Sequence, residues 1–180
     1  MNKKYNDYKN PFRLLWDFRS ELLPKYIVVL WLIIGVILVI LSGFKLINLS
    51  SLDIKEYVSI SVSGLNFALI ITSAALAVYN KDELTLLLEL DFSKHKSRVP
   101  GAYFLEILAP YALTLILFLI LGLSSVILPL ITLTPPLIIR IIVNIIYIEI
   151  IILGILSLFN LAYTILIELY YKVQRDSNRR

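Results

Sequence analysis

The stretch Leu137–Tyr171, LIIRIIVNIIYIEIIILGILSLFNLAYTILIELYY, decides how the rest of the chain is read. It is an almost unbroken apolar run that nevertheless carries Arg140, Asn144, Glu149 and Asn160. As one helix its roughly 35 residues reach about 52 Å, against about 30 Å of hydrocarbon in a bilayer. Projected at about 100° per residue, Glu149, Leu153, Leu156, Asn160, Tyr163, Thr164 and Tyr171 share one side and Arg140 falls on the other. A carboxylate in mid-membrane costs about 2.5–3.5 kcal/mol on insertion scales, so Glu149 is expected to face protein or water. It is the strongest functional candidate in the chain, with Asn144 and Asn160 as further intramembrane polar candidates.

Composition agrees with a membrane setting. The chain is 59% hydrophobic and only 17% charged, with a mean hydropathy of +0.85, a balance foreign to a soluble domain. With no cysteine, disulfides and thiolate metal sites are excluded, and the single histidine, His95, excludes a bis-histidine haem within one chain. The net charge of +4 is carried by basic residues flanking apolar runs. It therefore speaks for membrane topology rather than nucleic acid, which is not expected as a partner. Ile, Leu, Asn and Lys dominate while glycine and alanine are sparse, as AT-rich coding sequence gives, which points to a bacterial gene.

Residues 1–25 form a cytosolic amino-terminus. Met1–Lys9 is polar, expected to be mobile, and too basic to be a signal peptide. Asn10 before Pro11 predicts a helix start, and the helix is expected to run to about Leu23. Phe12, Leu15, Trp16, Leu22 and Leu23 gather on one side, with Arg19 placed to snorkel, so Trp16 and Arg19 are candidate lipid or partner contacts at the interface. Pro24 then turns the chain into the first hairpin, residues 26–79. Its first span is Tyr26–Phe44, bracketed by Lys25 and Lys45 and expected to face mostly lipid. The second, Tyr57–Tyr79, has Ser59, Ser63, Asn66 and Ser73 along one side and a small-residue stripe, Gly64, Ala68, Thr72 and Ala75, along another. Small residues four apart let helices approach closely, so this span is predicted to be central to packing. A water-facing polar wall of Ser59, Ser63, Ser73 and Asn66 is the alternative.

Residues 80–101 make a loop with a short amphipathic helix over 81–92, then the basic cluster SKHKSR at 93–98. Lys94, Lys96 and Arg98 there are expected to contact anionic lipid or a partner at the cytosolic face. The second hairpin, 102–171, has a span predicted to kink at Pro110, with Glu106 near the cytosolic interface and able to reach Lys96 or Arg98. A short turn leads to the final run, and residues 172–180 form a basic tail expected to be disordered. Residues 1–25 hold six Lys and Arg, the middle loop four and the tail four, against two in the first external loop and none in the second. By the positive-inside rule both termini are cytosolic and four spans cross a bacterial inner membrane. Glu149 then lies mid-bilayer, Asn160 near the inner surface, and apolar Tyr163–Tyr171 projects inward, needing cover from the 81–92 helix, the amino-terminal helix or another subunit.

The fold expected is thus an all-α integral membrane protein of four transmembrane helices in two hairpins with short amphipathic cytosolic helices. None of the phosphate-loop, dinucleotide, zinc-protease or serine-hydrolase motifs occurs, and the spans hold no His or Asp for an intramembrane protease. No catalytic residues, metal ligands or cofactor are expected.

Two hairpins joined by a basic cytosolic loop, SKHKSR at 93–98, with cytosolic ends, resemble small four-span bacterial proteins of phage defence and exclusion. These are the RexB-type exclusion proteins and the KwaA-type subunit of Kiwa. The resemblance is one of layout over the whole chain, and no residue motif carries a site across. It implies a non-enzymatic homo-oligomer that forms a pore, perturbs the membrane or senses its state, since four spans enclose no sizeable cavity alone. Two other readings stand beside it. One is a proton- or cation-coupled carrier with Glu149 as the exchanging carboxylate; the other is a structural or immunity subunit docking a cytosolic protein on its inner face.

Overall fold

The computed structural model describes residues 10–48, 57–78, 85, 102–130 and 136–177. Its helices are α1 (Pro11–Asp17), α2 (Lys25–Gly43), α3 (Val58–Val78), α4 (Ala102–Ile127), extended by a 3-10 turn over Leu128–Leu130, and α5 (Leu137–Ser177). There is no strand among the described residues. From α2 to α5, all four long helices have the length and hydropathy of a membrane crossing, the architecture of a multi-pass membrane protein. The amino-terminal segment 1–9, the predicted 81–92 helix and the basic residues Lys94, Lys96 and Arg98 lie outside the described residues, apart from Thr85, which is helical.

Local chemistry explains the ends. The Asn10 side chain accepts from the Phe12 backbone N–H at 3.0 Å, and Pro11 occupies the first helical position. The helix was expected to reach about Leu23 but stops at Asp17, where a turn closes with Glu21 N–H donating to the Phe18 carbonyl at 2.9 Å. The residue before Pro24 is disfavoured in helical geometry, and the turn carries Phe18 and Leu22 into the cluster they join. α2 closes with Leu46 N–H on the Leu41 carbonyl at 2.9 Å and Lys45 N–H on the Ser42 carbonyl at 3.0 Å, Lys45 taking φ 57. That six-to-one closure answers carbonyls the helix end would otherwise orphan. α4 continues through Pro110. α5 runs to Ser177, so the tail expected to be disordered from Lys172 is helical for its first six residues. No glycine or proline interrupts those six residues, and basic side chains suit a helix carboxyl end.

The chain divides into two compact units, neither of which coincides with a predicted hairpin. The first takes residues 1–23, 68–113 and 159–180. In it Leu14 and Phe18 pack with Ala109, Leu22, Leu105 and Ala112, and Ala75, Tyr111 and Leu161 pack with Ile71 and Ile165. The predicted apolar side of α1 is therefore not the protein-facing one, since Phe12 and Trp16 are 63% and 70% exposed while Leu14 and Phe18 are buried. The helix has two apolar sides, and when lipid is the outer solvent hydropathy alone does not say which faces the protein.

The second unit takes residues 24–67 and 114–158. Phe118, Leu121, Tyr147 and Ile151 form its core, with Tyr57, Leu65, Ile150 and Leu158 against them. The Phe118 ring stands where a side chain at Gly64 would be, a Cβ there falling 2.0 Å from its Cε1. On the α5 side, a Cβ on Gly154 would come within 3.1 Å of Cζ. Buried hydroxyls mostly answer carbonyls of their own helix: Ser61 to Tyr57 at 3.2 Å and Ser125 to Leu121 at 2.8 Å. Others reach across, with Thr114 and Ser157 oxygens 2.5 Å apart. These bonds let polar side chains sit in the packed interior without an unsatisfied group.

Alanine at the glycines is expected to rank by available space. Gly64→Ala should cost about 1–3 kcal/mol and Gly154→Ala less. Gly122→Ala, with 3.7 Å of room, and Gly43→Ala, with nothing within 4 Å, should be near neutral. Thermal unfolding of the purified protein in detergent reads the order; a Gly64→Ala variant as stable as Gly43→Ala would contradict the wedged ring.

Candidate functional site

Glu149 lies on α5 in the second unit, and what faces it is α2. Trp31 donates its indole Nε1–H to the Glu149 backbone carbonyl at 3.1 Å. One turn further along α2, Gly35 leaves the space that the carboxyl group occupies. A Cβ at Gly35 would lie 3.0 Å from Oε1 and 3.2 Å from both Cδ and Oε2. Glu149 Oε1 is buried and has no hydrogen-bond partner among the described residues. A buried polar atom without a partner costs roughly 1–3 kcal/mol, so the contact is held at an energetic loss that a glutamine or leucine would not impose in the same form. Arg140 does not relieve it, being exposed and nine residues away, about 13 Å along the axis.

α2 itself is weakly held. Ile27 is its one buried residue among those described; Val28, Ile34, Leu38 and Leu41 are half-buried, and its other valines, leucines and isoleucines are exposed, as lipid-facing side chains are. The contacts of Trp31 and Gly35 with Glu149 are among those that tie α2 to its unit. Nearby on α5, the Tyr147 hydroxyl lies 2.5 Å from Ser125 Oγ of α4, and the Tyr57 ring meets Tyr147 edge-on at 6.0 Å between centroids. Asn144 is buried one turn before Tyr147.

The other candidate residues are distributed rather than gathered. Asn160 is buried in the first unit, its backbone carbonyl accepting from Thr164 Oγ1 at 2.9 Å. On α3 the small-residue stripe is the packed side: Ala68 and Ala75 are buried, Gly64 faces Phe118, and Thr72 is half-buried. Ser59, Ser63 and Asn66 are exposed on the opposite side. Trp16 and Arg19 are exposed, the guanidinium 5.3 Å from the indole centroid, a cation–π pair suited to an interface. Sequence reasoning missed Trp31 and Gly35, although a tryptophan four residues before the one interior glycine of α2 marks a single helix face. Glu106, expected near the cytosolic interface within reach of Lys96 or Arg98, has its Oε2 buried with no hydrogen-bond partner among the described residues, as does Glu168. In the first unit Tyr111 lies within electrostatic reach of Glu168.

No protein-family model, curated protein or solved structure matches this chain.

The chain has two tryptophans, so a Trp16→Phe background leaves Trp31 as the sole reporter of the α2 contact. In that background Gly35→Leu is expected to part α2 from α5 and raise quenching of Trp31 by brominated lipid by about half or more, the bulk of a leucine exceeding the room available. Unchanged quenching would mean that Gly35 does not govern the contact.

Proposed function

We propose that this chain is a homo-oligomeric protein of a bacterial inner membrane, both termini cytosolic, that forms or gates a permeation path, or perturbs or senses the membrane, without catalysing a reaction. The observation that carries the reading is the Glu149 carboxyl group at the contact of the most weakly held span. An ionisable side chain inside a membrane marks a functional site by default, because it costs about 2.5–3.5 kcal/mol to place there. Here it sits where its charge state and its hydration bear directly on whether α2 stays docked. A change in membrane state that protonates, hydrates or pulls on Glu149 would release α2, and in an oligomer such releases open a path.

Orientation draws support from two directions. The Lys and Arg count favours cytosolic ends. The first unit collects α1 with the carboxyl-terminal part of α3, the amino-terminal part of α4 and the carboxyl-terminal part of α5, the ends that this count assigns to the cytosol. A defence-type, anti-phage role rests on the resemblance of layout to RexB-type and KwaA-type proteins, an analogy of architecture.

A second reading, a cytosolic partner docked on the inner face, draws on the exposed Leu166, Tyr170, Tyr171 and Val173 at the carboxyl-terminal end of α5. That is apolar surface beyond what one bilayer thickness covers. A proton- or cation-coupled carrier draws on the same unpartnered Glu149 oxygen as the permeation reading.

Expression of the wild-type chain and Glu149→Gln, with membrane depolarisation and oligomer size in mild detergent recorded together, tests these readings. The permeation reading expects a depolarising oligomer whose depolarisation changes about tenfold in the variant, the effect of about 1.4 kcal/mol on the α2 contact. An electrically silent wild type overturns it. Loss of proton–cation exchange in an otherwise intact variant would then favour the carrier, and lack of any exchange the docking subunit.

A further inference from the structure

We propose that the exposed side of α3 is a homotypic seam along which α3 pairs, in parallel, with α3 of a second copy of this chain, Asn66 meeting Asn66 at its centre. This rests on the reading of the protein as a homo-oligomer and names the face that builds it.

The spacing is the first argument. Ser59, Ser63, Asn66, Ile70, Ser73 and Ala77 follow one another at intervals of four, three, four, three and four residues, and all six are exposed. At about 100° per residue they fall within about 40° of one line, directly opposite the buried Ser61, Gly64, Ala68 and Ala75. A four–three alternation is a seven-residue repeat, which keeps a straight seam between two helices wound left-handedly, the commonest crossing in membrane bundles. Ser59, Asn66 and Ser73 stand at the same position of successive repeats. The packed side of α3 is thus consumed within the chain, and the side left over carries a pairing pattern of its own.

Chemistry is the second argument. α3 has the length and hydropathy of a membrane crossing, and Asn66 lies near its middle. A serine hydroxyl can return its hydrogen to a carbonyl four residues back, as Ser73 does to Leu69 at 2.9 Å. An amide has two donors and two acceptor lone pairs, more than its own helix turn can answer, and hydrocarbon answers none. Another Asn66 answers them reciprocally, because an amide is its own complement. A single asparagine at such a seam position is also what fixes register between paired helices. Copies inserted with one topology present α3 running the same way, so a two-fold axis along the membrane normal brings each seam residue to its own counterpart. The neighbouring surface is not flat: Ser59 and Ser63 edge an open, largely apolar cleft of about 270 Å³ bounded by Phe118, Ile155 and Leu158, which leaves room for side chains flanking a partner's seam.

A polar face on a span could instead wall a water-filled pore, and the two arrangements differ in which residues meet. In a homotypic pair the seam residues meet. In a pore ring the flanks meet, and the polar line faces water. The chain has no native cysteine, so single substitutions in the full-length protein, oxidised in native membranes with copper–phenanthroline, read this without background. Ser59→Cys, Asn66→Cys and Ser73→Cys are expected to crosslink copies at least about fivefold more than the flanking Ile60→Cys and Leu76→Cys. Adding Asn66→Leu to Ser59→Cys is expected to lower the crosslinked fraction about three- to tenfold, the effect of one lost interhelical hydrogen-bond pair in a membrane. Stronger crosslinking at Ile60 and Leu76, with the seam cysteines labelled by a water-soluble thiol reagent, overturns the seam in favour of a pore wall and leaves the oligomer standing. A detergent-stable oligomer with no α3 crosslinks at any of these positions overturns the seam alone. A wild-type monomer overturns both the seam and the oligomeric reading.

Discussion

The Phe118 ring fills the space that Gly64 of α3 and Gly154 of α5 leave open, and this contact sets how closely three long helices of the second unit approach. In a bilayer there is no hydrophobic gain in moving a leucine from lipid to protein, so packing depends on shape and on polar pairs. Two glycines facing one aromatic ring supply the shape. The Thr114–Ser157 and Ser125–Tyr147 pairs on either side supply the polar pairs.

Against such a background, unsatisfied polar atoms stand out. Five hydroxyls in the described spans, those of Ser61, Thr72, Ser73, Ser125 and Thr164, are answered by the carbonyl four residues back, which is the cheapest solution available to a helix. The carboxyl groups of Glu106, Glu149 and Glu168 each leave one buried oxygen unanswered. Glu149 differs from the other two in where it stands, against bare backbone at Gly35 and beneath a span that buries only Ile27. Strain of this kind is tolerated when the surrounding contacts hold it in place, and α2 supplies few of them.

The four long helices were legible in the sequence because an apolar run of about 20 residues between basic flanks has few other readings. The Asn10–Pro11 start and the packing stripe on α3 were legible for equally local reasons: a side chain that accepts from a nearby N–H, and small residues spaced to one face. The side of α1 that meets protein was not legible. Leu14 and Phe18 are no more apolar than Phe12 and Trp16, and only the position of Ala109 and Leu105, far along the chain, distinguishes them. The Glu149 site was half legible. A carboxyl group in a span announces itself, whereas Trp31 and Gly35 look like ordinary lipid-facing residues until α2 is laid beside α5. The length of α5 was underestimated because a basic, polar tail reads as solvent-exposed chain, though nothing in Lys172–Ser177 breaks a helix.

On the proposed reading, assembly and working contact fall to different helices. α3 spends one side on Phe118 and Ala-lined packing within the chain, which leaves its opposite side as the surface proposed for a second copy. α2 meets Glu149 through Trp31 and Gly35. A helix that both joined copies and moved would have to break its interface in order to act, at the expense of the oligomer. Under that proposal, separating the two would let α2 leave Glu149 while α3 keeps the copies together, so that a change at one carboxyl group is felt by an intact assembly rather than dissolving it.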